Sequence, residues 1–140
     1  MSLSTYLYFD GQCGEAFELY KSVFGGAFAS WNTYGDGPPE MGASDDEKGR
    51  IMHVSLPVGD SVLMGSDTLS SFGEPAKPGN NFAISFAPKT KAEADDVIAK
   101  LAAGGEISMA MNETFWGSYF GMCTDKFGVH WMLNLDLNAK

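Results

Sequence analysis

Residues 112–134, NETFWGSYFGMCTDKFGVHWMLN, crowd together side chains able to bind a ligand or move a proton. Glu113, Cys123, Asp125 and His130 stand among Phe115, Trp116, Tyr119, Phe120, Phe127 and Trp131. An imidazole or carboxylate can act as a general base, and exposed rings can stack on a flat ligand. The stretch reads as a β-hairpin with its lead-in, Tyr119–Thr124 and Val129–Leu135 flanking a turn at Asp125–Gly128. It is either the rim and floor of a small-molecule pocket or a pair of aromatic core strands with polar bystanders. Which of the two holds depends on the elements that position it.

Composition narrows the field first. The 140 residues carry a formal net charge of −9, with only 9 Lys and Arg. Phosphate backbones and anionic bilayers are read by clusters of basic side chains, so nucleic acid and membrane surfaces are not expected partners. No signal-peptide pattern opens the chain at Met1–Gln12, and no apolar run reaches membrane-spanning length. The expectation is a cytoplasmic protein. Cys13 and Cys123 lie in no C-x-x-C pair and read as free thiols. Cys13 precedes a predicted helix, whose dipole could lower its pKa.

The elements run in two similar series. Tyr6–Phe9 is a strand, and Gly14–Phe24 has apolar residues at helical spacing before a Gly25-Gly26 stop. Phe28–Tyr34 is β-rich, and Gly35–Gly49 is a loop. Ile51–Val58 and Ser61–Ser66 form a hairpin around Gly59-Asp60. After a loop at Asp67–Asn81 the pattern restarts. Phe82–Ala87 is a strand, and the capping box Thr90–Glu93 opens a helix through Ala103. Glu106–Ala110 and the hairpin described above complete it. This order predicts an α+β chain of two βαβββ modules in tandem, module one about 1–70 and module two about 80–140. Each sheet takes a helix on one face, and two such sheets make a half-open barrel with a ligand cavity between them.

Strand alternation sorts the side chains. Met52, Val54, Leu56 and Val58 form one apolar face, and Val129, Trp131, Leu133 and Leu135 another; these should meet the helices. The mixed faces carry His53, Ser55, Met64, Ser66, His130, Met132 and Asn134, which should look into the cavity. Phe115 and Trp116 could stack on a ligand. His53 and Glu113 are the candidates for acid–base work. Against these readings stand structural ones: a hydrogen-bonded His, a solvated Glu113, buried aromatic area, and turn-forming roles for Asp67 and Asp125.

The residues also carry a family resemblance. YLYFDGQCGEAFELYKSVFGG, IMHVSLPVGDSVLMGSD and the hairpin with its TFWG lead-in and FGMCTDKFGVHWM resemble the PhnB-like branch of the vicinal oxygen chelate superfamily. That superfamily includes glyoxalase I, bleomycin-resistance proteins and extradiol dioxygenases. The resemblance covers nearly the whole chain and implies the glyoxalase/bleomycin resistance fold and a homodimer. Some relatives are labelled demethylubiquinone methyltransferase-like; here no strand leads through a Gly-rich loop into a helix that could hold a nucleotide-like methyl donor. Metal-dependent members place a His or similar ligand on the first strand of each module and a Glu on the last. The matching positions here offer Thr5 or Tyr6, Asn81 or Phe82, Met64 and Met132. None is a good ligand for a hard ion. The expectation is therefore a small-molecule binding protein without the usual metal and with no cofactor. Its contacts would be His53, Met64, Ser66, Phe115, Trp116, His130, Met132 and Asn134. The alternative is a lyase, isomerase or dioxygenase of glyoxalase type that uses a base or a divalent metal, for which His53 with Asp67 or Glu113 stays open.

Overall fold

A computed structural model describes residues 1–138. It divides into two compact units, one of Met1–Lys77 and one beginning at Pro78. Unit one contains β1 (Thr5–Phe9), α1 (Cys13–Phe24), β2 (Ser30–Thr33), β3 (Ile51–Val58) and β4 (Ser61–Asp67). Unit two contains β5 (Ile84–Phe86), α2 (Lys91–Ala102), β6 (Glu106–Glu113), β7 (Ser118–Thr124) and β8 (His130–Asp136). The sheets have the orders β1-β4-β3-β2 and β5-β8-β7-β6, so the two units share one topology. In each, the first strand runs parallel to the last and the other pairings are antiparallel. This is the α+β, twofold βαβββ architecture that the sequence order predicts.

In unit one, α1 buries Cys13, Ala16, Phe17 and Tyr20 at helical spacing, and Glu15 and Glu18 stay on the outer side. Leu7, Phe9, Val54, Leu56 and Leu63 supply the sheet's half of the core. Helix and strand approach closely at Gly65, where an added Cβ would stand 2.7 Å from Phe17 Cε1 and 3.0 Å from the Leu7 carbonyl. Gly25 ends the helix at φ 80°, a conformation that favours glycine.

The predicted apolar face of β3 needs one correction. Ser30, Trp31 and Asn32 pair in order with Ser55, Val54 and His53, but Thr33 pairs with Ile51. Met52 is the extra residue of a β-bulge, which bends the strand and re-aims its side chains. Ile51 therefore joins Val54 and Leu56 in the core, while Met52 is half-buried with its sulfur beside Gly37.

In unit two, Ala94, Val97, Ile98 and Leu101 of α2 meet Cys123, Trp131 and Leu133. Thr90 caps the helix, its hydroxyl accepting from the Glu93 amide at 3.0 Å. Glu93 reaches back past the cap to accept from the Lys89 amide at 3.0 Å, so the expected reciprocal box is displaced by one residue. β5 is shorter than the predicted strand at Phe82–Ala87. β6 extends beyond the predicted Ala110 to Glu113, with register shifts between Ile107 and Met109 and between Met109 and Asn112.

Candidate functional site

Because one face of each sheet lies under its helix, the chemistry collects on the other. In unit one, ladder partners place Tyr6, Met64 and Ser55 on this open face, with Ser30 across from Ser55 and Tyr8 across from Ser66. His53 and Asn32 form the next pair. Leu7 and Phe9 point the other way and are buried, so the alternation of TYLYF puts both phenols on the open side. Tyr6 is 38% and Tyr8 65% exposed.

The rings form a connected strip. Tyr6 and Tyr8 have centroids 5.2 Å apart at 43°, and Tyr6 stacks with His53 at 5.8 Å and 28°. The Tyr6 hydroxyl and His53 Nδ1 lie 3.2 Å apart, within hydrogen-bond distance. Ser55 and Ser66 are buried, and Ser55 shares a 2.9 Å hydrogen bond with Ser30. The sequence makes this strip only partly legible: alternation along β3 and β4 sorts His53, Met64 and Ser66 to one face, but nothing local joins them to Tyr6 and Tyr8 of β1. The period-two pattern of β1 holds only the signal that the two tyrosines share a face.

The open face of unit two carries Phe120 across from Asn134, Met122 across from Met132, and Thr124 across from His130; Ser85 stands beside Met132. Trp116 packs edge-on against Phe120 at 5.9 Å and against Phe115 at 5.0 Å. Phe115 is almost fully exposed on the turn and Trp116 about half. His130 is held at both nitrogens, Nδ1 by the Thr124 hydroxyl at 2.8 Å and Nε2 by the Gly79 carbonyl at 2.8 Å. A carbonyl can only accept, so Nε2 carries a proton, and in the neutral ring the Thr124 hydroxyl donates to Nδ1.

Glu113 does not belong to this face. It pairs in the ladder with Tyr119, whose hydroxyl donates to Asp95 on α2 at 2.7 Å. Its carboxylate forms an ion pair with Lys91, and the Lys91 ammonium sits 5.2 Å from the Tyr119 ring centroid. The hydrogen bond to Asp95 holds the Tyr119 phenol above its ordinary pKa, with burial and the nearby carboxylates adding to the effect. The network fastens α2 to β6 and β7.

Asp67 and Asp125 also have structural work. Asp67 is 1% exposed, and its carboxylate accepts from the amides of Gly11 (2.8 Å), Cys13 (2.9 Å) and Ile51 (2.8 Å). It replaces the side-chain cap that Gln12 does not give α1. Its carbonyl accepts from the Tyr34 hydroxyl at 2.6 Å. Asp125 accepts from the Phe127 and Val129 amides (2.9 and 3.0 Å) and from Trp131 Nε1 (3.0 Å).

The thiols are free and buried. Burial, and then the Asp67 charge, pushes the Cys13 thiol well above its ordinary pKa. This reverses the lowering expected from its place at the helix start, because desolvation of a thiolate outweighs the dipole there. Burial and Asp125 push Cys123 up to about 11.

Among the described residues, no three His, Cys, Asp or Glu side chains gather as a metal site. At the positions where the resemblance would put ligands, Tyr6 lies beside Met64, and Met132 beside Ser85; Asn81 and Phe82 precede β5. Thioethers and neutral hydroxyls do not fit a hard divalent ion. No helix among the described residues is long and apolar enough to cross a membrane.

The chain is similar to known proteins along its length. The sequence signature of the family described as 3-demethylubiquinone-9 3-methyltransferase matches residues 1–134. Protein YjdN of Escherichia coli strain K12 is 33% identical over 143 residues, which cover 96% of this chain and 95% of that protein. The crystal structure of PA1353 from Pseudomonas aeruginosa is 38% identical with a TM-score of 0.86, over 97% of this chain and 98% of the other. A protein of Bacillus cereus described as a putative 3-demethylubiquinone-9 3-methyltransferase, PhnB protein, is 26% identical with a TM-score of 0.77, over 96% and 99%. A glyoxalase/bleomycin resistance protein/dioxygenase family enzyme of Burkholderia phytofirmans PsJN, 21% identical with a TM-score of 0.61 over 95% and 98%, shares the fold. The chain thus belongs to the PhnB-like family whose sequence signature bears the description 3-demethylubiquinone-9 3-methyltransferase, and it has the glyoxalase/bleomycin resistance fold.

Proposed function

We propose that the protein binds a small molecule on the open faces of its sheets, without the hard-metal site used by metal-dependent members of the superfamily. The observation that carries this reading is the exposed Tyr6–Tyr8–His53 strip beside Met64. Rings held at stacking distance on the sheet face turned away from the helix offer large apolar area together with polar edges, which is how ligand sites are commonly lined. Trp116, Phe120, Met122 and Met132 give the second unit a similar, less polar lining. The net charge of −9 favours neutral or cationic ligands over anions.

A second reading, lyase or isomerase chemistry with His53 as base, draws on the Tyr6–His53 contact, since an imidazole bonded to a phenol can relay a proton. Two measurements on the purified protein test the proposal. Metal analysis is expected to find no stoichiometric metal, and a thermal-shift screen of neutral and cationic metabolites and drugs is expected to find stabilising ligands. Stoichiometric nickel, zinc, iron or manganese, or a screen without any response, would sink it. Turnover of a stabilising ligand, lost in His53→Ala, would favour the second reading. The homodimer implied by the resemblance belongs to the same proposal and is checked by light scattering.

A further inference from the structure

Resting on the reading of the unit-one face as a ligand surface, we propose that Tyr6 and His53 together are its specificity-determining group. The ligand class that follows is a neutral planar ring system whose edge carries either a hydrogen-bond donor or an acceptor.

The argument begins with the direction of one hydrogen bond. A phenol both donates and accepts, and a neutral imidazole carries one proton that can sit on either nitrogen. If Tyr6 donates to Nδ1, the imidazole proton is on Nε2 and His53 offers a donor. If Nδ1 donates to the Tyr6 oxygen, Nε2 becomes an acceptor and the Tyr6 hydroxyl is released to donate. Both arrangements keep the contact at 3.2 Å, so changing over sacrifices no hydrogen bond. The pair can therefore meet a donor or an acceptor equally well.

His130 shows what the absence of this freedom looks like. The Gly79 carbonyl fixes its proton on Nε2, and both its nitrogens are occupied. Of the two imidazoles, only that of His53 lacks such a lock.

Charge and shape set the rest of the ligand class. The ladder residues sharing this face, Tyr6, Tyr8, Ser30, Asn32, Ser55, Met64 and Ser66, include no Lys, Arg, Asp or Glu. A ligand charge desolvated against them would find no counter-ion, which is costly. The near-parallel stacking of Tyr6 and His53 presents a ring strip suited to a flat partner.

Three bicyclic probes of similar size test the idea at neutral pH: quinoline, with an acceptor only; indole, with a donor only; and naphthalene, with neither. Wild type is expected to bind quinoline and indole each about 3- to 10-fold more tightly than naphthalene, the range for one net hydrogen bond. In the double variant Tyr6→Phe/His53→Phe, which keeps a ring at both places, both should fall to the naphthalene level while naphthalene itself binds as before. Nitrogen-15 NMR of the His53 ring should show the proton on Nε2 with quinoline bound and on Nδ1 with indole bound. Should the double variant fail to fold, Tyr6→Phe and His53→Phe singly are each expected to lose part of the preference for the two probes. Equal binding of all three by wild type, or a preference that survives in these variants, overturns the inference and leaves ligand binding standing. If none of the three binds, the inference falls, and the reading of the face as a ligand surface is decided by the thermal-shift screen.

Discussion

Asp67 shows how much of unit one can hang on one carboxylate. Its oxygens satisfy three backbone amides from the β1–α1 link, the start of α1 and the start of β3. Asp67→Ala strands three donors in the interior and should destabilise the protein by roughly 3 kcal/mol or more, at the high end for point mutants; urea denaturation measures it. Asp125 plays a comparable part for the Lys126–Val129 turn and the Trp131 indole. The two thiols make a further residue-scale prediction. With Cys123 pushed up to about 11 and Cys13 higher still, both are protonated at neutral pH and enclosed. A thiol reagent at pH 7.5 should leave the native protein unmodified within minutes and titrate two groups after denaturation.

At the scale of elements, the long loop between β2 and β3 is fastened by Glu47. Its carboxylate accepts from the Ser70 amide (2.8 Å) and hydroxyl (3.0 Å) and from the Ser44 amide (3.2 Å) and hydroxyl (2.8 Å). The Ser70 amide and the Ser44 bonds hold the acid down to about 2, against about 4.3 for an unconstrained Glu. Between these values the unfolded chain binds the proton and the native one does not. The stabilisation is therefore complete above about pH 4.5 and fades as pH falls towards 2. Glu47→Gln should be less stable than wild type at pH 6, and the two should converge as pH drops to about 2, by thermal melts across that range. Gly65→Ala tests the other packing constraint: its methyl must displace Phe17 or the β1 backbone, an overpacking cost of about 1–3 kcal/mol. The same elements show where sequence was readable. Helices α1 and α2, the hairpins and the buried rows of β1, β4 and β8 follow from period and turn residues, because those signals are local. The bulge at Met52 was hidden, since it depends on how β2 pairs with β3 and not on either strand alone. His53 was sorted to the right face, yet its partner Tyr6 lies 47 residues away, and Glu113 was drawn towards Lys91 by α2. Contacts of that kind are invisible to spacing.

For the molecule as a whole, duplication and charge are the governing facts. The two units repeat one topology, but they differ in chemistry: one carries a phenol–imidazole contact, the other His130 held at both nitrogens among thioethers and aromatic rings. Over both lies an acidic field of net charge −9. An anionic probe such as 1-naphthoate should bind more weakly than quinoline, and raising salt from about 0.05 to 0.5 M should narrow that gap by screening. A gap indifferent to salt would assign the discrimination to local contacts.

The parallel pairing of β1 with β4 also dictates an order of events in time. Thr5 meets Leu63 and Phe9 meets Asp67, so the first strand to be made has no neighbour until the last strand of its unit exists. The β3–β4 hairpin closes over a short turn and can form early; β1 must be captured across most of the unit, which is slow and leaves its apolar residues exposed meanwhile. Tyr6 therefore reaches His53 only when capture is complete. A misfolded chain holds every residue of the Tyr6–Tyr8–His53 strip and none of its geometry, so on the proposed function ligand capture would report finished folding in unit one.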